Sequence, residues 1–105
     1  MKYVFTILLL TCFTSLLSAQ DLTISGTVKD QGLNEPLPGV NIFVKNTTNG
    51  TSTDFDGNYT ISNVKKGDIL IFSYISFITK EIVVGDNTTI NMVLEEDVSA
   101  LDEVI

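Results

Sequence analysis

From Asp21 onward, apolar residues recur at every second position, the period of a strand with one buried face. In "LTISGTVK", Leu22, Ile24 and Val28 fall on one face, with Thr23, Ser25, Thr27 and Lys29 on the other. "VNIFVK" repeats the alternation with Val40, Ile42 and Val44 inward, and "TINMVLE" does so with Ile90, Met92 and Leu94. "NYTI" sends Tyr59 and Ile61 to one side, and "TKEIVV" is a weaker strand ending in Ile82, Val83 and Val84. "ILIFSY" is apolar on both faces, which predicts a central strand covered from each side. The polar "GTST" reads as a short edge strand, where few apolar side chains are needed.

Turn chemistry separates these runs. "QGLNEPLPG" (31–39) holds both prolines and two glycines and is a loop, while "NTTNG", "DFDGN", "KKGD" and "VGDN" are turn clusters. Seven short strands with turns at this spacing predict an all-β sandwich. The acidic tail "EEDVSALDEVI" alternates poorly and reads as a linker leaving the domain.

The first residues break the pattern. In "MKYVFTILLLTCFTSLLSAQ", Lys2 precedes an apolar run that closes on Ser18 and Ala19, the layout of a secretory signal peptide. The expected organisation is therefore a signal peptide over 1–19, a sandwich over 20–97 and a linker over 98–105. An uncleaved anchor and a lipoprotein cut before Cys12 are the competing readings; Phe13 to Leu17 continuing the apolar run argues against lipidation. With the leader removed, no cysteine, histidine or tryptophan is left, which excludes disulfide staples, thiolate chemistry and His/Cys zinc sites. The 105-residue chain has a formal net charge of −7. Its remaining part has lysines but no arginine, so nucleic acid and anionic lipid are poor partners.

"TSTDFDGNYTI" (51–61) is the stretch richest in candidate chemistry. As an EF-hand it fails, because counting from Asp54 puts glycine fourth (Gly57) and Lys65 twelfth. A looser calcium site on Asp54 and Asp56 is a competing reading. As a glycosidase pair the two carboxylates share one tight turn with no cleft between them. The simplest reading is structural: Asp54, Asp56 and Gly57 form a hairpin turn, the carboxylates accepting backbone N–H groups and glycine supplying positive φ. Asn46, Asn49, Asn58 and Asn87 match glycosylation triplets, a pattern that turn-favouring asparagine beside strand-favouring threonine produces unaided. No histidine is present to activate a hydroxyl.

Taken in order, "SGTVKD", "EPLPGVNIFVKNTTNGTSTDFDGNYTI", "GDILIFSYISF" and "LDEVI" resemble the carboxypeptidase D regulatory-like domain at the N-terminus of SusC/RagA-type TonB-dependent outer-membrane receptors of Bacteroidetes. The resemblance covers nearly all of residues 22–105. Two positions depart from the family's pattern: Asn46 stands where glycine is common, and so does Ser76. The receptors also continue past "LDEV" into a TonB-interacting segment, a plug and a barrel, whereas this sequence ends at Ile105.

The resemblance implies a seven-stranded Ig-like or transthyretin-like sandwich, periplasmic at the outer membrane, with no catalysis and no cofactor. It implies TonB and an outer-membrane lipoprotein as partners in nutrient uptake. Asp102, Glu103, Val104 and Ile105, extended and β-prone, are then the expected start of the TonB-interacting segment, by strand addition to the TonB domain. Two other functions compete. One is a free-standing exported sandwich binding a glycan or protein through Phe43 and Phe55; the other is a passenger domain beside a peptidase.

Overall fold

A computed structural model describes residues 21–98; the expected leader and Asp102, Glu103, Val104 and Ile105 lie outside that range. Seven strands run in order: β1 (Leu22–Asp30), β2 (Asn41–Val44), β3 (Gly50–Ser52), β4 (Asn58–Val64), β5 (Ile69–Ser73), β6 (Lys80–Val83) and β7 (Met92–Leu94). They form two sheets, β4-β1-β7 and β3-β2-β5-β6. This is the all-β sandwich that the alternation predicts.

The inward residues of each strand meet between the sheets. Ile24 and Val28 of β1, Tyr59 and Ile61 of β4 and Leu94 of β7 face Ile42 and Val44 of β2 and Leu70 and Phe72 of β5, all buried. The Tyr59 and Phe72 rings meet edge to face across the gap, with centroids 5.6 Å apart at 82°, the arrangement favoured by the ring quadrupole. β1 is the central strand of its sheet, antiparallel to β4 and parallel to β7. Its outward Ser25 and Thr27 are accordingly half-buried.

Two expectations are corrected. β5 is an inner strand, between β2 and β6, but it is not covered on both sides. Leu70 and Phe72 are buried, while Ile69, Ile71 and Ser73 on the other face are half-exposed, because only two layers exist. The second correction concerns "DFDG". β3 pairs with β2 and β4 pairs with β1, so the turn carries the chain from one sheet to the other. It is a corner, not a hairpin. Asp-Gly supplies a local reversal of backbone, and it does not specify which strand the chain joins afterwards.

Among the described residues, four other than glycine have positive φ: Asn34, Asn46, Asn63 and Ser76. Asparagine tolerates this region and serine tolerates it less. Ser76 at φ 67° therefore holds its bend at a cost. Its carbonyl accepts the N–H of Asp97 at 2.8 Å, a bond that does not depend on its side chain. Ser76→Gly is expected to stabilise the domain by about 0.5–1 kcal/mol, relief of the left-handed strain outweighing the added chain entropy. Urea midpoints of the two forms measure it, and an unchanged or lower midpoint for the glycine form contradicts it.

Candidate functional site

The corner is built from its first carboxylate. Asp54 Oδ1 accepts the N–H of Asp56 and of Asn58, each at 2.9 Å. The Asp54 N–H donates to the Asn58 carbonyl, and the Gly57 N–H to the Asp54 carbonyl. Gly57 has φ 76°, a conformation without penalty only for glycine. The Asp56 side chain takes no part: its carboxylate accepts no hydrogen bond from a described residue. The two aspartates that look equivalent in the sequence have different roles. Phe55, between them, is 93% exposed, whereas Phe43 is half-buried on β2.

Beside the corner lies Thr53, buried and missed by reading "GTST" as a polar edge. Its hydroxyl donates to the Leu37 carbonyl and accepts the Val40 N–H at 3.0 Å. The loop before β2 is thereby tied to the segment that follows β3. Asp30 is buried in the same way at the end of β1, with Oδ1 accepting the Gly32 N–H at 2.8 Å. Both side chains replace water's hydrogen bonds with backbone ones, as burial requires.

A third buried polar group sits deeper. The Tyr59 hydroxyl donates to the Ile90 carbonyl at 2.6 Å, and burial pushes its phenol up to about 12. In the unfolded chain the same phenol ionises near pH 10. The fold binds the neutral form, so this contribution is complete below pH 10. It is lost as pH rises from about 10 through 12. The expected loss is on the order of 2 kcal/mol. Urea midpoints of the wild type should fall more steeply between pH 10 and 12 than those of Tyr59→Phe, which shares every other titrating group; parallel slopes would remove the assignment.

Among the described residues, no three His, Cys, Asp or Glu side chains gather as a metal site would need, and Asp54's engaged oxygen leaves Asp56 as a lone exposed carboxylate. The arrangement positions backbone.

The last described segment carries the chain out. The Ile78 N–H donates to the Glu95 carbonyl, Phe77 bridges Glu96, and the Asp97 N–H donates to Ser76. Lys80 Nζ lies 3.5 Å from Glu95 Oε1. Residues 95–97 thus fasten the end of the β7 sheet onto the segment before β6. The expected partner-binding residues Asp102, Glu103, Val104 and Ile105 come after it, outside the described range.

Comparison with known proteins fits this architecture. TonB-dependent receptor P26 of Formosa agariphila is 49% identical over 94 residues, which is 90% of this chain and 9% of the relative. TonB-dependent receptor SusC of Bacteroides thetaiotaomicron is 45% identical over 87 residues, 83% of this chain and 8% of that protein. The chain therefore spans less than a tenth of these relatives' length. Among solved structures, a chain of a type II cohesin–X-dockerin complex from Acetivibrio cellulolyticus superposes with a TM-score of 0.59 at 19% identity, over 71% of this chain and 58% of that one; this likeness concerns the fold alone. The CarboxypepD_reg-like domain family matches residues 24–105, and the chain belongs to it.

Proposed function

We propose that the chain is the non-catalytic leading domain of a TonB-dependent outer-membrane receptor, exported to the periplasmic side and acting in energy-coupled nutrient uptake. The observation that carries this reading is identity of 45–49% to TonB-dependent receptors across more than four-fifths of the sequence. In this reading residues 1–19 are a removed signal peptide, 20–97 the sandwich and 98–105 the linker. Asp102, Glu103, Val104 and Ile105 begin the peptide that TonB grips, adding as a strand to the TonB domain. An outer-membrane lipoprotein would complete the assembly on the receptor's barrel.

The exit geometry supports the reading. The chain is tied down as far as the Asp97 N–H, so a pull applied beyond Val98 acts on a peptide anchored to a packed domain. The DNA downstream of the Ile105 codon tests the reading directly. An in-frame plug and barrel is the expected result; a stop followed by unrelated sequence overturns it. The finer assignment has its own measurement, calorimetric titration of the purified TonB periplasmic domain into the chain ending at Ile105 or at Val98. Equal affinities would take Asp102, Glu103, Val104 and Ile105 out of the contact.

A further inference from the structure

We infer that the end of the sandwich at which the chain exits is a docking surface for a protein partner, one that is apolar at its centre and basic at its rim. The inference stands on the described domain alone and does not require the receptor reading. Strand pairings place residues 31–40, 53–57, 74–79 and 95–98 at this end, and residues 45–49, 65–68 and 84–89 at the opposite one. The two ends differ in kind.

At the exit end, Phe55 is 93% exposed, Ile75 82%, Leu33 69%, Val98 62% and Ile78 41%. The opposite loops, "KNTTN", "KKGD" and "VGDNTT", expose no large apolar side chain, and the exposed apolar residue beside them is Val83 at the end of β6, 64% exposed and isolated among polar turns. Single exposed apolar residues are ordinary; their collection at one end marks a contact surface. The local turns do not explain them, because Asp54 and Gly57 shape the corner without using the Phe55 side chain. Next to Phe55 a shallow cleft is lined by Pro38, Gly39 and Thr53. Gly39 lies against the Tyr74 ring, which stacks at a tilt on Phe77 with centroids 5.6 Å apart. Apolar surface thus continues from Phe55 to Ile75. On the far side a second groove runs between Leu33 and Val98, with Glu96 on its wall.

Charge selects the occupant. Glu35, Asp56 and Glu96 are exposed at this end, and no described residue pairs with their carboxylates. Lys29, exposed one residue from the end of β1, offsets one of these charges and leaves the balance acidic. Lys80 is matched to Glu95, while Lys45 and Lys66 lie toward the opposite end, matched to Glu81 and Asp86. Like charges across an interface oppose docking and opposite charges favour it. The chain's own next residues bring Asp102 and Glu103, and a second copy would bring the same carboxylates. A lysine- or arginine-rimmed apolar surface complements the end.

The test is an NMR titration of the purified, nitrogen-15-labelled chain with a peptide of alternating leucine and lysine. A leucine–glutamate peptide of equal length serves as the control. Shifts are expected at Leu33, Phe55, Ile75, Glu96 and Val98 and not at Asn46, Lys66 or Asn87, with no binding of the acidic peptide. The double change Leu33→Ser, Phe55→Ser should weaken binding by about tenfold or more, the loss typical of central interface residues. Shifts at both ends, equal binding of the acidic peptide, or no binding would overturn the inference. So would movement of the same signals on simple removal of residues 99–105, because the end would then be covered by the chain's own tail.

Discussion

Gly26→Ala is expected to cost the domain about 4 kcal/mol or more, roughly a third or more of its total stability. Gly26 shares the inward face of β1 with Ile24 and Val28, and it leaves a slot there that backbone fills. A Cβ at this position would overlap the Ile90 carbonyl oxygen and lie 2.6 Å from its carbon and 3.1 Å from Tyr59 Cε1. The first two are backbone atoms, so no rotamer change relieves the contact. Ile90 cannot simply withdraw. Its carbonyl accepts the Tyr59 hydroxyl, and its N–H donates to the Ser25 carbonyl at 2.8 Å, while the Ser25 N–H donates to Thr88. Moving residues 88–90 by more than an ångström breaks these bonds, leaves the buried Tyr59 hydroxyl without its acceptor and loosens the short parallel pairing of β7 with β1. A lost buried hydrogen bond costs about 1–3 kcal/mol, and overpacking adds roughly 1–3 kcal/mol. A domain of this size has a total stability on the order of 4–12 kcal/mol. Circular dichroism and urea titration give the readout. Gly85→Ala is the control, since nothing lies within 4 Å of its added Cβ, and it should change stability by less than about 0.5 kcal/mol. Equal midpoints for the two variants would refute the packing of this slot.

The share of the fold legible in the sequence is set by the information that period-two patterning can encode. It records which side chains face inward, so Val40, Ile42, Val44, Tyr59 and Ile61 are readable as core, and all are buried. It does not record where backbone fills a gap. Gly26 sits in "SGTV" as a pause in the alternation, and only the tertiary path of residue 90 gives it a purpose. Nor does patterning tell how many layers cover a strand: "ILIFS" reads as buried on both faces, yet its outer face is left half-exposed. At 46 and 76 the left-handed backbone is legible through the resemblance, since glycine is common at both places in the family; asparagine suits that geometry, whereas serine by itself gives no sign of it. Asp30 and Thr53 are silent, since a polar residue gives no sign in the sequence that its partners are buried carbonyls and amides. The two strand ends that the corner joins cannot be assigned to sheets, because turn chemistry is indifferent to the pairing of the strand beyond it.

The corner yields the second large effect, and it separates residues that the sequence treats alike. Gly57→Ala is expected to cost about 3 kcal/mol, from two causes that add. At φ 76° a side chain brings roughly 1–2 kcal/mol of left-handed strain. The new Cβ would also sit 2.7 Å from the Val28 carbonyl oxygen and 2.9 Å from Pro36 Cβ. The corner is pinned to β1 there, the Val28 N–H donating to the Gly57 carbonyl at 2.8 Å and the Leu37 N–H to the Val28 carbonyl at 3.0 Å, so the clash cannot be relieved without freeing the loop before β2. Asp54→Ala should cost less, about 1–2 kcal/mol, because it strips the acceptor from two N–H groups that water can partly reach. Asp56→Ala should change stability by less than about 0.5 kcal/mol. The expected order of urea midpoints is therefore Gly57→Ala lowest, then Asp54→Ala, with Asp56→Ala at the wild-type value. If the aspartates instead held a calcium ion, Asp54→Ala and Asp56→Ala would behave alike and added calcium would raise the wild-type midpoint alone. A ranked series insensitive to calcium identifies the corner as backbone architecture: a rigid joint that fixes both sheets relative to the end where the chain departs.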